Sequence, residues 1–204
     1  MRRVRKLKLT RVECPSCGHP LVSKQREEDL LFACDCGTIH MRDPKPKEVE
    51  FQIARPRDAS RPDNVYVPFW RVSAHVSMLG SDVVGGYIHK LATLIEGGDG
   101  RSGDLDIYIP ATKLPAEEFR KWAVAFTNNP PRYAEYKDFG GISRMPCNIS
   151  KNEAEKLADF VILTNEAEKP GTLQYIEYTM TVNNMSLVFL PFIRDSTARL
   201  YINL

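Results

Sequence analysis

Apolar and polar residues alternate with period two along much of the chain, a spacing that predicts strands. Leu7, Leu9 and Val12 mark a short one, His19-Pro-Leu-Val22 a second and Leu30-Leu-Phe-Ala33 a third, with the charged residues 24–29 as a hairpin tip before the third. Val49-Glu-Phe51-Gln-Ile53 alternates cleanly. The longest run is Val65-Tyr-Val-Pro68-Phe-Trp-Arg-Val-Ser-Ala-His-Val76. Its proline supplies no N–H to a ladder, which places the start of that strand at a sheet edge or entry. Ile107-Tyr-Ile-Pro110-Ala and Val188-Phe-Leu-Pro191-Phe-Ile-Arg194 echo it, and the first and third stretches also share the Phe-X-Arg that follows the proline. The echo points to an internal duplication, although common strand grammar yields short matches of this kind as well. After Gly171, residues 173–182 and 186–193 flank Asn183-Asn184, which reads as a two-residue hairpin turn. Residues 198–202 add a last strand.

The period changes twice. Pro115-Ala-Glu-Glu opens a helix with proline in the first turn and acids at the positive end of the dipole, and Phe119, Trp122, Ala123 and Phe126 form its apolar face. Ser150-Lys-Asn-Glu153 is a capping box, and Ala154, Leu157, Ala158, Val161 and Ile162 are the buried stripe of the helix behind it. Strands with two helices between them give an α+β fold with an antiparallel sheet.

The 204 residues, 43% hydrophobic, suit one small module and one globular domain. Residues 1–42 form the module with its N-terminal arm, residues 43–64 a linker and residues 65–204 the domain. Pro44, Pro46, Pro56 and Pro62 among charged residues keep the linker extended. No apolar run approaches the roughly 20 residues that cross a bilayer, so no membrane partner is expected. The basic start is not followed by an apolar signal-peptide core, and a cytoplasmic location is the expectation. Net charge is only +2, but residues 1–60 carry 13 Lys/Arg against 9 Asp/Glu and residues 61–204 carry 15 against 17. The excess lies in the first eleven residues.

The strongest chemical signal is Cys14-Pro-Ser-Cys17-Gly followed by Cys34-Asp-Cys36-Gly. Each glycine lets the chain turn back so that main-chain N–H groups face the sulfurs, and two such turns make a tetrahedral four-sulfur metal site. In a reducing compartment clustered cysteines read as metal ligands and not as disulfides. Strand, knuckle, strand, tip, strand, knuckle resembles the zinc-ribbon class over residues 8–42. That resemblance implies one zinc on Cys14, Cys17, Cys34 and Cys36. The second pair departs from the usual two-residue spacing, with Asp35 alone between its cysteines, and His19 and His40 therefore stand as alternative ligands. Iron is the alternative metal, because Cys-Pro-X-Cys-Gly turns also resemble rubredoxin; the second turn lacks both the proline and the length.

Other candidates are weaker. Gly97-Gly-Asp99-Gly100-Arg-Ser-Gly103-Asp104 leads into a strand, not a helix, so it makes no phosphate cradle, and Asp99, Asp104 and Asp106 have no calcium-loop spacing. Cys147 precedes a helix N-terminus, which favours a thiolate, with His75 and His89 as conceivable partners. Tyr66, Phe69, Trp70 and Arg71 mix aromatics with a cation as single-strand nucleic-acid platforms do, yet burial of one aromatic face explains most of that pattern. No nucleophile–base order, phosphate loop or dinucleotide fingerprint is present. The expectation is a non-catalytic adaptor or scaffold that binds protein or a second copy of itself. The alternative is nucleic-acid binding through Arg2, Arg3, Arg5, Lys6, Lys8 and Arg11.

Overall fold

The structure is a computed structural model and describes residues 12–21, 29–43, 45–84, 102–167 and 172–204. The basic residues Arg2, Arg3, Arg5, Lys6, Lys8 and Arg11, the tip at 24–28, His89, residues 97–101 and Gly171 lie outside the described residues. Along the chain run β1 (Leu31–Ala33), β2 (Ile39–Asp43), β3 (Lys45–Glu48), β4 (Phe51–Ile53), β5 (Asn64–Val84), β6 (Ser102–Pro110), α1 (Ala116–Asn128), β7 (Ser143–Arg144), α2 (Lys151–Ala167), β8 (Thr172–Arg194) and β9 (Leu200–Ile202). The fold is α+β, with two helices among the described residues. The capping box forms as its spacing requires: the Ser150 main-chain N–H donates to Glu153 Oε2 at 2.8 Å, and the Glu153 N–H donates to Ser150 Oγ at 3.3 Å.

β1, β2 and β3 make a small antiparallel sheet, while the large sheet runs β4-β8-β5-β6, with β7 added along β5 and β9 along β8. The two long strands pair antiparallel from Asn64↔Ile193 to Val84↔Thr172. The hairpin expected at Asn183-Asn184 is therefore absent, and β8 runs straight through it. Tyr178, Met180 and Val182 face the core before that point, and Met185, Leu187 and Phe189 after it. These two sets are out of phase by one residue. Asn183 is the extra residue of a bulge between the pairs Ala74↔Val182 and Ser73↔Asn184, and it restores the apolar set to the same face.

The three echoing stretches lie side by side in the large sheet. Val67 stands opposite Leu190, so that Pro68 faces Phe189 and Pro191 faces Tyr66. Outside β5, β7 runs parallel at Tyr66↔Arg144, and outside β8, β4 runs parallel at Ile53↔Phe189. The Met145 N–H donates to the Tyr66 carbonyl at 2.8 Å, and the Ala54 N–H donates to the Phe189 carbonyl at 3.0 Å. Beyond the prolines the outer neighbours change to β6 and β9, where Ala111 N–H donates to the Pro68 carbonyl (2.8 Å) and Asn203 N–H to the Pro191 carbonyl (2.9 Å). The pairing thus repeats about a local two-fold axis. It also explains prolines inside central strands, where the sequence had placed Pro68 at a sheet edge or entry: each sits where one outer neighbour hands over to the next, so its carbonyl is used and no N–H is missed.

Both faces of this strand pair are covered near the axis. On one face Tyr66, Trp70, Val72, Ile107, Leu187 and Phe189 pack with Ala154, Ala158, Val161 and Ile162 of α2 and with Leu31, Ile39 and Met41 of the small sheet. On the other, Val65, Val67, Phe69, Val188, Leu190 and Phe192 pack with Phe126 of α1 and Leu200. Tyr66, Phe69 and Trp70 are wholly buried, and Trp70 Nε1 donates to the Ile149 carbonyl at 2.9 Å. They form core, not an exposed platform. In the proline-rich stretch 43–64, Ile53 of β4 and Ala54 are buried as well.

A buried carboxylate ties the small sheet to the large one. Asp29 Oδ1 accepts the main-chain N–H groups of Leu31 (3.0 Å) and Cys147 (3.1 Å), and its Oδ2 lies 2.8 Å from Arg144 Nη1. The Leu30 N–H donates to the Cys147 carbonyl at 2.7 Å. Removing one member of such a pair leaves the other buried and uncompensated, a cost of about 3–5 kcal/mol. Arg144→Met is expected to lose about that much stability in a urea titration. Asp29→Ala should lose more, because two buried N–H groups lose their acceptor too, at about 1–3 kcal/mol each.

Candidate metal centre

Each cysteine pair sits on a tight turn closed by its own main chain. In the first, the Cys14 N–H donates to the His19 carbonyl and the Gly18 N–H to the Cys14 carbonyl, both at 2.8 Å. In the second, the Cys34 N–H donates to the Thr38 carbonyl and the Gly37 N–H to the Cys34 carbonyl, both at 2.9 Å. Gly18 (φ +73°) and Gly37 (φ +91°) take the left-handed backbone that lets the chain reverse. The single-residue spacer Asp35 shortens the second turn by one residue without opening it. Ser16 Oγ donates to Glu48 Oε2 at 2.9 Å, holding the first turn against β3. Cys14, Leu21 and Phe32 form a small apolar cluster beneath, with Cys34 packed on it.

The four sulfurs converge. Cys14 Sγ lies 3.9 Å from Cys36 Sγ and Cys17 Sγ lies 3.5 Å from Cys34 Sγ, with all four within 4.8 Å of one another. Four thiolates at about 2.3 Å around one tetrahedral ion stand about 3.8 Å apart, so the donor set fits a metal ion. Among the described residues no other group of His, Cys, Asp or Glu converges in this way.

Electrostatics in the cluster are those of four thiols that cannot all ionise unaided. At Cys14 burial disfavours the thiolate, but hydrogen bonds from Thr38 and from the main chain of Cys17 and Ser16 outweigh it and bring the group down to about 5. At Cys36 the Thr38 hydroxyl and N–H lower the pKa. At Cys34 the Cys36 N–H favours the thiolate, yet burial and the neighbouring sulfurs prevail and push it up to about 12. Cys17 is also raised: the His19 main chain and Cys34 favour its ionisation, and burial with the other two sulfurs overrides them. A divalent cation removes this conflict by neutralising all four together.

Neither histidine joins the ligand group. His19 is exposed and lies outside the converging group. His40 is fully buried, and its Nε2 lies 3.1 Å from Cys14 Sγ and 2.8 Å from Thr38 Oγ1. Thr38 Oγ1 lies 3.1 Å from Cys36 Sγ. His40 is thus a hydrogen-bonding neighbour of the sulfurs, and Thr38, which sequence reading passed over, is a second one. The signal was present in Cys36-Gly-Thr38-Ile-His40, whose alternate residues share one side.

The remaining candidates disperse. Cys147 is fully buried, and burial together with the Asp29 charge pushes its thiol up to about 12. His75, its suggested partner, instead meets Asp104 Oδ1 and Ser102 Oγ, each at 2.9 Å. Asp106 accepts a hydrogen bond from Ser73. No helix among the described residues is long and apolar enough to cross a membrane. No protein-family model, no curated protein and no solved structure matches the chain.

Replacing any one of Cys14, Cys17, Cys34 or Cys36 by serine is expected to abolish stoichiometric metal binding, measured by elemental analysis of the purified chain. Because the thiols must lose protons to bind, acidification should release the ion. Removing it with a chelator should raise amide hydrogen exchange in β1 and β2 well before it does so in β6.

Proposed function

We propose that the cysteine-bearing unit is a zinc ribbon, that one zinc is held by Cys14, Cys17, Cys34 and Cys36, and that the chain is a non-catalytic adaptor or scaffold acting through protein–protein contacts. The observation that carries the reading is the convergence of four sulfurs on a unit fastened to the core of the large sheet. An all-thiolate tetrahedral set suits zinc, and a closed set leaves no coordination position for a reacting water. Iron remains the rival metal, and the two turns differ in length where rubredoxin-type turns repeat. Five cysteines, none in a disulfide, suit a reducing compartment such as the cytoplasm.

Contact with protein is supported by apolar side chains left outside the core. Leu79 is 61% exposed and Tyr175 50%, both on the end of the β5–β8 pair beyond β6, while Phe160 (47%) and Leu163 (41%) lie on α2. Such groups gain from being covered by another chain.

Sedimentation across a concentration series, at 50 and 500 mM salt, tests this against the nucleic-acid alternative. Salt-insensitive association, of the chain with itself or with a co-purified protein, is the expected result. Oligonucleotide binding that falls about 10³-fold or more between 50 and 200 mM salt and vanishes on deletion of residues 1–11 would establish the alternative instead.

A further inference from the structure

The four thiolates are not equivalent, and the difference lies in what donates to each. Cys14 has the main-chain N–H groups of Cys17 and Ser16 and, beyond them, Thr38 Oγ1 at 3.6 Å and His40 Nε2 at 3.1 Å. Cys36 has both the N–H and the hydroxyl of Thr38. Cys17 has the His19 main chain and the facing Cys34 sulfur at 3.5 Å, and Cys34 has the Cys36 main chain; among the described residues neither has a hydroxyl or ring nitrogen beside it.

Proton positions follow from satisfaction of the buried groups. His40 Nδ1 is buried without a hydrogen-bond partner among the described residues. Nε2 has two acceptors within reach, Cys14 Sγ and Thr38 Oγ1, and Nδ1 has none, so the proton of the neutral ring is assigned to Nε2. From there it donates into the gap between Cys14 Sγ and Thr38 Oγ1, leaving the Thr38 hydroxyl hydrogen for Cys36 Sγ. A metal-bound thiolate only accepts, so both donations are charge-assisted. They draw electron density from Cys14 and Cys36 and make those two sulfurs poorer nucleophiles.

We propose that Thr38 and His40 act as positioning residues that cap Cys14 and Cys36, leaving Cys17 and Cys34 as the edge of the metal site at which electrophiles and peroxides attack. This rests on the metal reading above. Cys17 is exposed, Cys34 is part-exposed, and their sulfurs are 3.5 Å apart. With a hydroperoxide, one of the two thiolates attacks the O–O bond, forms a sulfenic acid and expels hydroxide or alkoxide. The other thiolate then attacks that sulfur, closing the 17–34 disulfide and expelling the second oxygen. Two electrons pass from the sulfur pair to the peroxide, solvent protons neutralise the oxygens that leave, and the ion loses two of its four ligands.

The test uses the full chain with its metal content measured first; less than one equivalent defeats the metal reading itself, and only chains with one equivalent enter the second stage. Limiting N-ethylmaleimide, with peptide mapping, should label Cys17 and Cys34 at least fivefold faster than Cys14 and Cys36. Buried Cys147 serves as the unreactive reference. Cys36 decides the matter, because it is exposed and exposure alone would have it react alongside Cys17. Thr38→Val should bring Cys36 up to the rate of Cys17 and weaken metal binding about tenfold, and Thr38→Ser should restore both. Hydrogen peroxide should yield the 17–34 disulfide at the rate at which a chromogenic chelator detects released metal. Equal labelling of all four cysteines in the wild-type chain, early labelling of Cys36, or a different disulfide would overturn the proposal.

Discussion

Strands as long as β5 and β8 cannot pair flat, since the right-handed twist of each accumulates along the ladder. Register shifts at Ser73/Ala74, Met78/Gly80 and Asp82/Val83 add local twist and bend the pair further. The bend gives the sheet an inner face over which α2 and the small sheet pack, with the shared cluster running from Leu31 and Met41 through Trp70 to Phe189. The cysteine-bearing unit is held by that face. Too small to bury a core of its own, it has the four converging sulfurs above and the large sheet beneath.

Local signals in the sequence were legible where the chain answers only to its neighbours. The capping box at Ser150 and Glu153, the apolar face of α1 and the glycines after each cysteine pair act within a few residues, and each appears in place. Asn183-Asn184 was misread because a turn and a bulge draw on the same residues. What separates them is the phase of the apolar set on either side, Val182 against Met185, and phase has meaning only once β5 is known to continue alongside. Pro68 and Pro191 pose the same difficulty: whether a strand can hold a proline depends on the neighbour that would have needed its N–H.

Asp29 was the least legible residue. In sequence it closes a charged tip, Lys24-Gln-Arg-Glu-Glu-Asp29, and nothing separates it from Glu27 and Glu28. Its burial follows from Arg144 and the Cys147 main chain, more than a hundred residues away, so no periodicity could have marked it. The four cysteines were the opposite case, because two short turns carry most of the geometry by themselves. Thr38 and His40 fall between these extremes: their side of the strand is set by period two, but their roles depend on which sulfurs the fold places there.

The local two-fold pairing has a consequence for the order in which the molecule can be assembled. Phe51 and Ile53 pair along the sheet with Leu187 and Phe189, so β4 has no strand to lie against until β8, the second of the two long strands, has been made. The two cysteine turns need no such wait, because each is closed by main-chain hydrogen bonds between near neighbours. They can take shape while contacts distant in sequence are still closing slowly.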